Sequence, residues 1–268
     1  MAKRQFDTST LFGVTIAFSS VIAGLLLDAG SVAQILQPTA ALIVLGGTLG
    51  AVMVQFPLAT LLQALRELRQ ALLDATPLCP ECLETLIGYC LYVRRKGMLA
   101  LDPQLDSVDD PFLKKALTLA VDAVAVPELR TLMEIDLDLY EEREAKSVAV
   151  FEAAGGFSPT LGIIGAVLGL IQVMQRMENV GEIGKGIAVA FVSTLYGIGF
   201  ANLILLPLAG KLKVRLRERQ MVREMTLDAV VAMVEGASAR ALRQRLDAYL
   251  TEGSPTSQPQ PEPEMVTP

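Results

Sequence analysis

Four stretches of this 268-residue chain carry no charged side chain: Leu11–Leu27, Thr39–Phe56, Gly155–Met174 and Gly186–Leu208. A hydrocarbon core about 30 Å thick needs about 20 helical residues, and about 17 suffice. The first two stretches sit near that lower limit and the fourth exceeds it. Composition points the same way. Charged residues are 19% and apolar residues 52%, against roughly 25% charged in soluble domains, and mean hydropathy is +0.46. The pattern predicts an all-α membrane protein with four transmembrane helices.

Lysine and arginine placement sets the orientation, because cytoplasmic loops hold the excess. The connection Asp28 to Pro38 has none, and that between the third and fourth spans has only Arg176 and Lys185. The rest lie before span one, between spans two and three, or after span four. Both termini and the central segment are therefore expected in the cytoplasm. The N-terminus also mimics a secretory signal, with Lys3, Arg4, an apolar run and Ser31-Val32-Ala33. That run is long for a signal and a second span follows almost at once, so a retained helix is expected.

Between spans two and three the chain reads as helix throughout. Leu61, Leu62, Leu65, Leu68 and Leu72 follow Pro57 at helical spacing. A second helix opens at Pro80 and ends at Gly97 after Arg94, Arg95 and Lys96, a good C-terminal signature. A third starts at Asp109-Asp110-Pro111 and runs to about Ala125. From Pro127 a long helix leads into span three. A charged helix from Lys211 to Glu235 continues span four, and Ser238 caps a last one to Leu250. The expected organisation is an N-terminal region 1–56 with two spans, a helical cytoplasmic domain 57–154, a span pair 155–208, C-terminal helices 209–251, and a Pro-rich disordered tail 252–268.

Several chemistries lose support. The chain has no histidine, the commonest metal ligand and general base. Cys79-Pro-Glu-Cys82 has redox or zinc spacing, but with Cys90 the thiols number three, short of a four-ligand zinc site. The motif also follows a helical stretch, so reduced cysteines at a helix start are expected, with no metal, no cofactor and no enzymatic role. A net charge of −6 gives no reason to expect nucleic acid as a partner. The spans hold no ionisable group, so an ion pathway here needs a carboxylate from another chain. Small residues at four-residue spacing, Gly46/Gly50, Gly165/Gly169 and Gly197/Ala201, suit close helix packing.

Two segments carry a family resemblance. Span three and its approach read Phe151-Glu-Ala-Ala-Gly-Gly-Phe-Ser-Pro159-Thr-Leu-Gly-Ile-Ile-Gly-Ala166. Span four reads Ile187-Ala-Val-Ala-Phe-Val-Ser-Thr194-Leu-Tyr196-Gly, then Ala201-Asn202 and Leu206-Pro207. With Ile43-Val-Leu-Gly46-Gly47 and Arg94-Arg-Lys-Gly97-Met-Leu-Ala-Leu-Asp102, the chain resembles the stator A subunits of the flagellar motor, the MotA/PomA family, from about residue 10 to 250. The related TolQ and ExbB energisers share the last two spans but have one span before the cytoplasmic insertion, whereas two precede it here.

The resemblance implies a homo-pentamer in the bacterial inner membrane around two copies of a stator B subunit. That partner has a single span with an intramembrane Asp and a peptidoglycan-binding domain, and the ring turns a rotor switch-complex protein. Thr194, Ala166 and Tyr196 would belong to the ion pathway, Pro159 and Pro207 to gating, and Arg94, Arg95, Lys96 and Asp102 to the rotor contact. Asp102 stands where the family usually has Glu. Sodium-type relatives carry Thr at the position of Ala166, and one carries an acid, near the outer mouth, where Gln37 stands. With neither oxygen here, the expected ion is the proton, with sodium as the alternative.

Overall fold

The structure, a computed structural model, describes residues 8–27, 35–73, 80–175 and 180–252. Among them every regular element is helical. Helix α1 is Thr8–Leu27, and α2 is Pro38–Gln55, with one π-helical turn at Leu42–Gly46. Next come α3 (Leu58–Leu73), α4 (Pro80–Lys96), a 3₁₀ segment (Met98–Ser107) and α5 (Pro111–Val121). Helix α6 (Val126–Gln175) has 50 residues, about 75 Å at the α-helical rise. Helix α7 (Val180–Phe200) passes through a second π turn, Ala201–Leu205, into α8 (Leu206–Val234), and α9 is Ala239–Glu252. The α2, α6 and α7–α8 runs are long and apolar enough to cross a membrane, while the apolar part of α1, Phe12–Leu27, is shorter.

The chain forms two compact units, the first of residues 1–75 and 143–215, the second of 76–142 and 216–268. In the second unit Leu86, Leu101, Leu117, Leu129, Met133, Met225 and Leu246 are fully buried in one core. Local signals account for its helix ends. Asp110 caps α5, its carboxylate accepting from the Phe112 amide at 3.0 Å. The Ser238 hydroxyl accepts from the Ala241 amide at 3.2 Å, as the sequence suggested. Helix α5 stops short of the expected Ala125: Ala123 takes φ +56°, and the Val124 amide bonds back to the Leu119 carbonyl. This is a Schellman-type stop, usually made by glycine. The 3₁₀ segment after Gly97 was not expected either; Gly97 at φ +84° turns the chain into it.

In the first unit α6 and α7 meet along glycines. A Cβ on Gly162 would lie 2.9 Å from the Ser193 carbonyl oxygen, one on Gly197 2.7 Å from that of Ser158, and one on Gly169 2.7 Å from that of Gly186. Backbone thus touches backbone over about three turns, from Ser158 to Gly169 on α6 and from Gly186 to Gly197 on α7. Gly165 packs on the Ser193 side chain and on Ile43 of α2, and Gly47 of α2 on Leu161, so α2 lies along one side of the α6/α7 pair. By contrast, among the described residues, Gly46 has only its own helix's Leu42 nearby and Gly50 has nothing within 4 Å. Of the three small-residue pairs, those of α6 and α7 form the seam within this chain.

Both π turns sit in helices whose buried positions recur every four residues: Ala40, Val44, Thr48 and Val52 in α2, and Gly197, Ala201, Leu205 and Ala209 in α7–α8. An α-helix carries such a stripe about 40° around its axis per step. A wider turn absorbs part of that drift and keeps the stripe on its neighbour. Each turn also has a polar side chain returned to the backbone. Thr48 Oγ1 donates to the Val44 carbonyl at 2.6 Å and Asn202 Nδ2 to the Ile198 carbonyl at 2.9 Å. In an apolar medium such bonds satisfy backbone groups that a distorted ladder exposes.

Alanine at Gly162 or Gly197 is expected to force the seam apart, at about 1–3 kcal/mol for overpacking. Gly50→Ala, which meets open space in the isolated chain, should be neutral or slightly stabilising. Thermal unfolding of the three variants in detergent checks this ordering, and a Gly50→Ala loss as large as that of Gly197→Ala would refute it.

Candidate functional site

The α6/α7 seam has two sides, and α2 occupies one. Ile43 and Leu161 mark that side. Residues Pro159 and Ala166, seven apart on α6, fall together on the opposite flank of the seam, since successive residues turn by about 100°. On α7 the seam positions are Gly186, Ala190, Ser193 and Gly197, and Thr194 lies one step round, toward the open flank. Pro159, Ala166 and Thr194 are all half-buried there. Thr194 borders an exposed apolar stripe of Ile187, Phe191, Leu195 and Ile198. The structure thus places these three predicted site residues on one flank.

The chemistry available on that flank is a hydroxyl. Thr194 Oγ1 donates to the Ala190 carbonyl at 3.3 Å, a long bond that leaves the oxygen's lone pairs available to a second donor. Behind it, Ser158 Oγ donates to the Gly197 carbonyl at 3.0 Å. Ser193 Oγ, fully buried in the seam, has no hydrogen-bond partner among the described residues. No Asp, Glu, Lys or Arg stands within the spans 155–174 and 186–208.

Tyr196 goes elsewhere. Two residues beyond Thr194, it lies about 200° round the helix. Its hydroxyl donates to the Ile35 carbonyl at 2.7 Å and faces the Gln37 amide at 3.5 Å. Gln37 is the N-cap of α2 and makes no side-chain cap bond. Pro207 is exposed, in the first turn of α8 just after the second π turn, where the Leu206 amide reaches back five residues to Ala201. A proline cannot donate to the ladder and crowds the carbonyl four residues back, so the widened turn accommodates it. Pro159 stands inside α6.

The basic cluster Arg94, Arg95 and Lys96 forms the last turn of α4, in the second unit. Tyr92 OH donates to the Ala100 carbonyl at 3.2 Å, and fully buried Leu101 anchors the following turn. This fixes the presentation of Arg94, Arg95 and Asp102, all exposed. Lys96 leans over the Tyr92 ring, 5.0 Å from its centroid, which restrains it compared with the two arginines. Cys90 packs beneath, its thiol pushed up by burial and pulled the other way by Arg94. Cys82 is half-buried against the same core, and Cys79 lies outside the described residues.

This arrangement matches known proteins along nearly its whole length. The model of the MotA/TolQ/ExbB proton channel family matches residues 104–225, and that of the motility protein A N-terminal region matches 11–95. Motility protein A of Bacillus subtilis is 34% identical over 91% of both chains. The chain belongs to the MotA/TolQ/ExbB proton channel family. The flagellar MotAB stator complex of Bacillus subtilis contains a chain 33% identical to it, with a TM-score of 0.84 over 91% of this chain and 96% of that one. The C. jejuni MotAB structure gives 28% identity and a TM-score of 0.86 over 93% and 98%. The N-terminal match distinguishes the motility branch, and a membrane location agrees with the apolar helices.

Sequence reasoning missed one feature of this family member. A pocket of about 380 Å³ in the second unit is lined by Arg130, Glu134, Asp138, Glu141, Glu224, Asp228 and Tyr249 among others. Asp228 is its hub, accepting from Tyr249 OH at 2.7 Å, Arg245 at 3.1 Å and Arg130 at 3.5 Å. A single acid ahead of the apolar run Ala229-Val-Val-Ala was the available signal. Burial, reinforced by the charges of Glu141 and Asp228 and opposed by Arg217, raises the Glu224 carboxyl above its ordinary 4.5. Burial, with the bond to Asp228, also drives the Tyr249 phenol well above its usual range.

The folded state therefore holds the Glu224 proton more tightly than the unfolded chain. That contribution is fully present below 4.5 and is lost as pH rises through the raised folded value. Glu224→Gln is expected to flatten this part of the profile. Wild type should lose unfolding temperature relative to the variant as the pH climbs from 4.5 toward neutrality. Parallel melting curves at every pH would contradict the sign.

Proposed function

We propose that the chain is the channel-forming, torque-generating A subunit of a flagellar stator, coupling proton flow to rotation of the rotor. The observation that carries this reading is the open flank of the α6/α7 seam, where Thr194 presents a hydroxyl and no ionisable group accompanies it. Such a flank completes an ion path only against a carboxylate from a partner. A stator B subunit, with one span and an intramembrane Asp, has that chemistry, and the related MotAB complexes support its presence here.

In this reading the protein sits in the inner membrane with four spans, α1 being the shortest, and both termini in the cytoplasm. Five copies surround two B subunits within the lipid. Thr194 hydrogen-bonds the partner acid or its water, whichever protonation state the acid holds. Ala166, next along the flank, supplies volume and no ligand, which favours the proton over sodium. Pro159 and Pro207 lie toward the cytoplasmic ends of the two spans, where missing ladder bonds make bending cheap. Arg94 and Arg95, with Asp102 beyond Gly97, face the rotor's switch-complex protein, and Lys96 assists them.

The chain expressed alone should not conduct; proton uptake by vesicles holding only this chain, at the level of the two-subunit complex, would overturn the partner requirement. Arg94→Glu should impair motility at unchanged assembly, with partial recovery when a rotor charge is reversed, whereas failed assembly would make the residue structural. At Thr194, Val keeps the volume but removes the hydroxyl. Leaving a buried polar group unpartnered costs about 1–3 kcal/mol, so a rate-limiting transfer would slow roughly five- to over a hundred-fold. The expected order of torque and flux at equal complex abundance is wild type, then Thr194→Ser, then Thr194→Val far below. Equal performance of Ser and Val would make Thr194 a packing residue.

A further inference from the structure

The sequence resemblance groups Tyr196 with Thr194, but the geometry separates them. Tyr196 turns to the α2 side of α7, and its hydroxyl proton is committed to the Ile35 carbonyl at 2.7 Å. The same oxygen faces the Gln37 amide at 3.5 Å. These partners are 161 and 159 residues away in sequence and flank the bend that leads into α2. That bend lacks the usual local device. Its N-cap, Gln37, makes no side-chain bond to the first turn, and Pro38 follows at once. A phenol from α7 thus accepts from the N-cap amide of α2, as the Glu or Gln of a capping box does from within its own helix.

A proton relay must accept a proton and pass it on along one line of donors and acceptors. The Tyr196 hydroxyl donates to a backbone carbonyl, which does not carry the proton onward, and it lies across α7 from Thr194. We infer that Tyr196 is a positioning residue that pins α7 to the start of α2 and thereby fixes the rotation and depth at which Thr194 faces the partner. The inference rests on the proposed role of Thr194 and adds to it. Val189 and Val192 of α7 are buried, and α2 packs on α7 near its start. The phenol is the polar lock on this apolar contact.

Tyr196→Phe keeps the ring and deletes the lock, and the test uses the whole stator complex in vesicles. Amide exchange at Gln37 and the first turn of α2 should quicken roughly tenfold, in line with the loss of one hydrogen bond. Proton flux should fall several-fold with its pH midpoint unmoved, since no titrating group leaves the path. Complex abundance should match wild type. A shifted pH midpoint would make Tyr196 a relay and overturn the inference. Unchanged exchange would remove the lock, and failed assembly would replace positioning with a folding role; either outcome overturns it. The Thr194 series is scored separately. If Thr194→Val keeps full flux while Tyr196→Phe still quickens exchange at α2, the ion-path reading fails and the lock itself survives.

Discussion

The structure of the first unit depends on bare backbone contact between α6 and α7. Carbonyls of Ser158, Gly186 and Ser193 lie where Cβ atoms of Gly197, Gly169 and Gly162 would otherwise stand. In lipid no gain comes from hiding apolar side chains from water, so helices are held by close van der Waals contact and weak polar bonds. Only glycine permits that closeness. Everything assigned to the site follows from it: with the seam closed, one flank is left for α2 and the other for Thr194, Ala166 and Pro159. The buried hydroxyls of Ser158 and Ser193 are small enough to lie within the seam without opening it.

As a stator subunit the chain divides its polarity sharply. Its spans supply one half-buried hydroxyl on an otherwise apolar flank, and its charges lie outside the spans, the larger part of them in the second unit. There Arg94, Arg95 and Asp102 are displayed on a turn fixed by Tyr92 and Leu101, while Asp228 ties its own helix α8 to α6 through Arg130 and to α9 through Arg245 and Tyr249. Display and bracing thus use different charges. Mutating the first group should alter what the unit meets, and mutating the second should alter whether it holds its form.

Much of this was legible in the residues. Charge-free stretches marked α2, α6 and α7, and Asp110-Pro111 and Ser238 marked helix starts through local bonds. What escaped depended on partners distant in sequence or on unusual backbone. Ala123 ends α5 in a conformation that sequence rules reserve for glycine. The distinction between Gly165, which packs, and Gly50, which does not, exists only once α6 meets α7. Tyr196 and Thr194 stand in the same run, Ile187 to Gly197, yet helical rotation sends them to opposite sides. Spacing by two in a helix means separation, and the motif alone conceals that.

The two π turns have a consequence for how this chain can change its length. A π turn amounts to an α-helix holding one residue more than its turn requires, so the segments on either side keep nearly the same phase. Elsewhere in α2 or α7–α8, adding or removing a residue would swing every later side chain by about 100° and turn Ala209 or Val52 out of its core. At Leu42–Gly46 and Ala201–Leu205 the helices already hold a spare residue. These are the places where a lineage could gain or lose one while its seams stay aligned, and they act as slack in an otherwise rigid ruler.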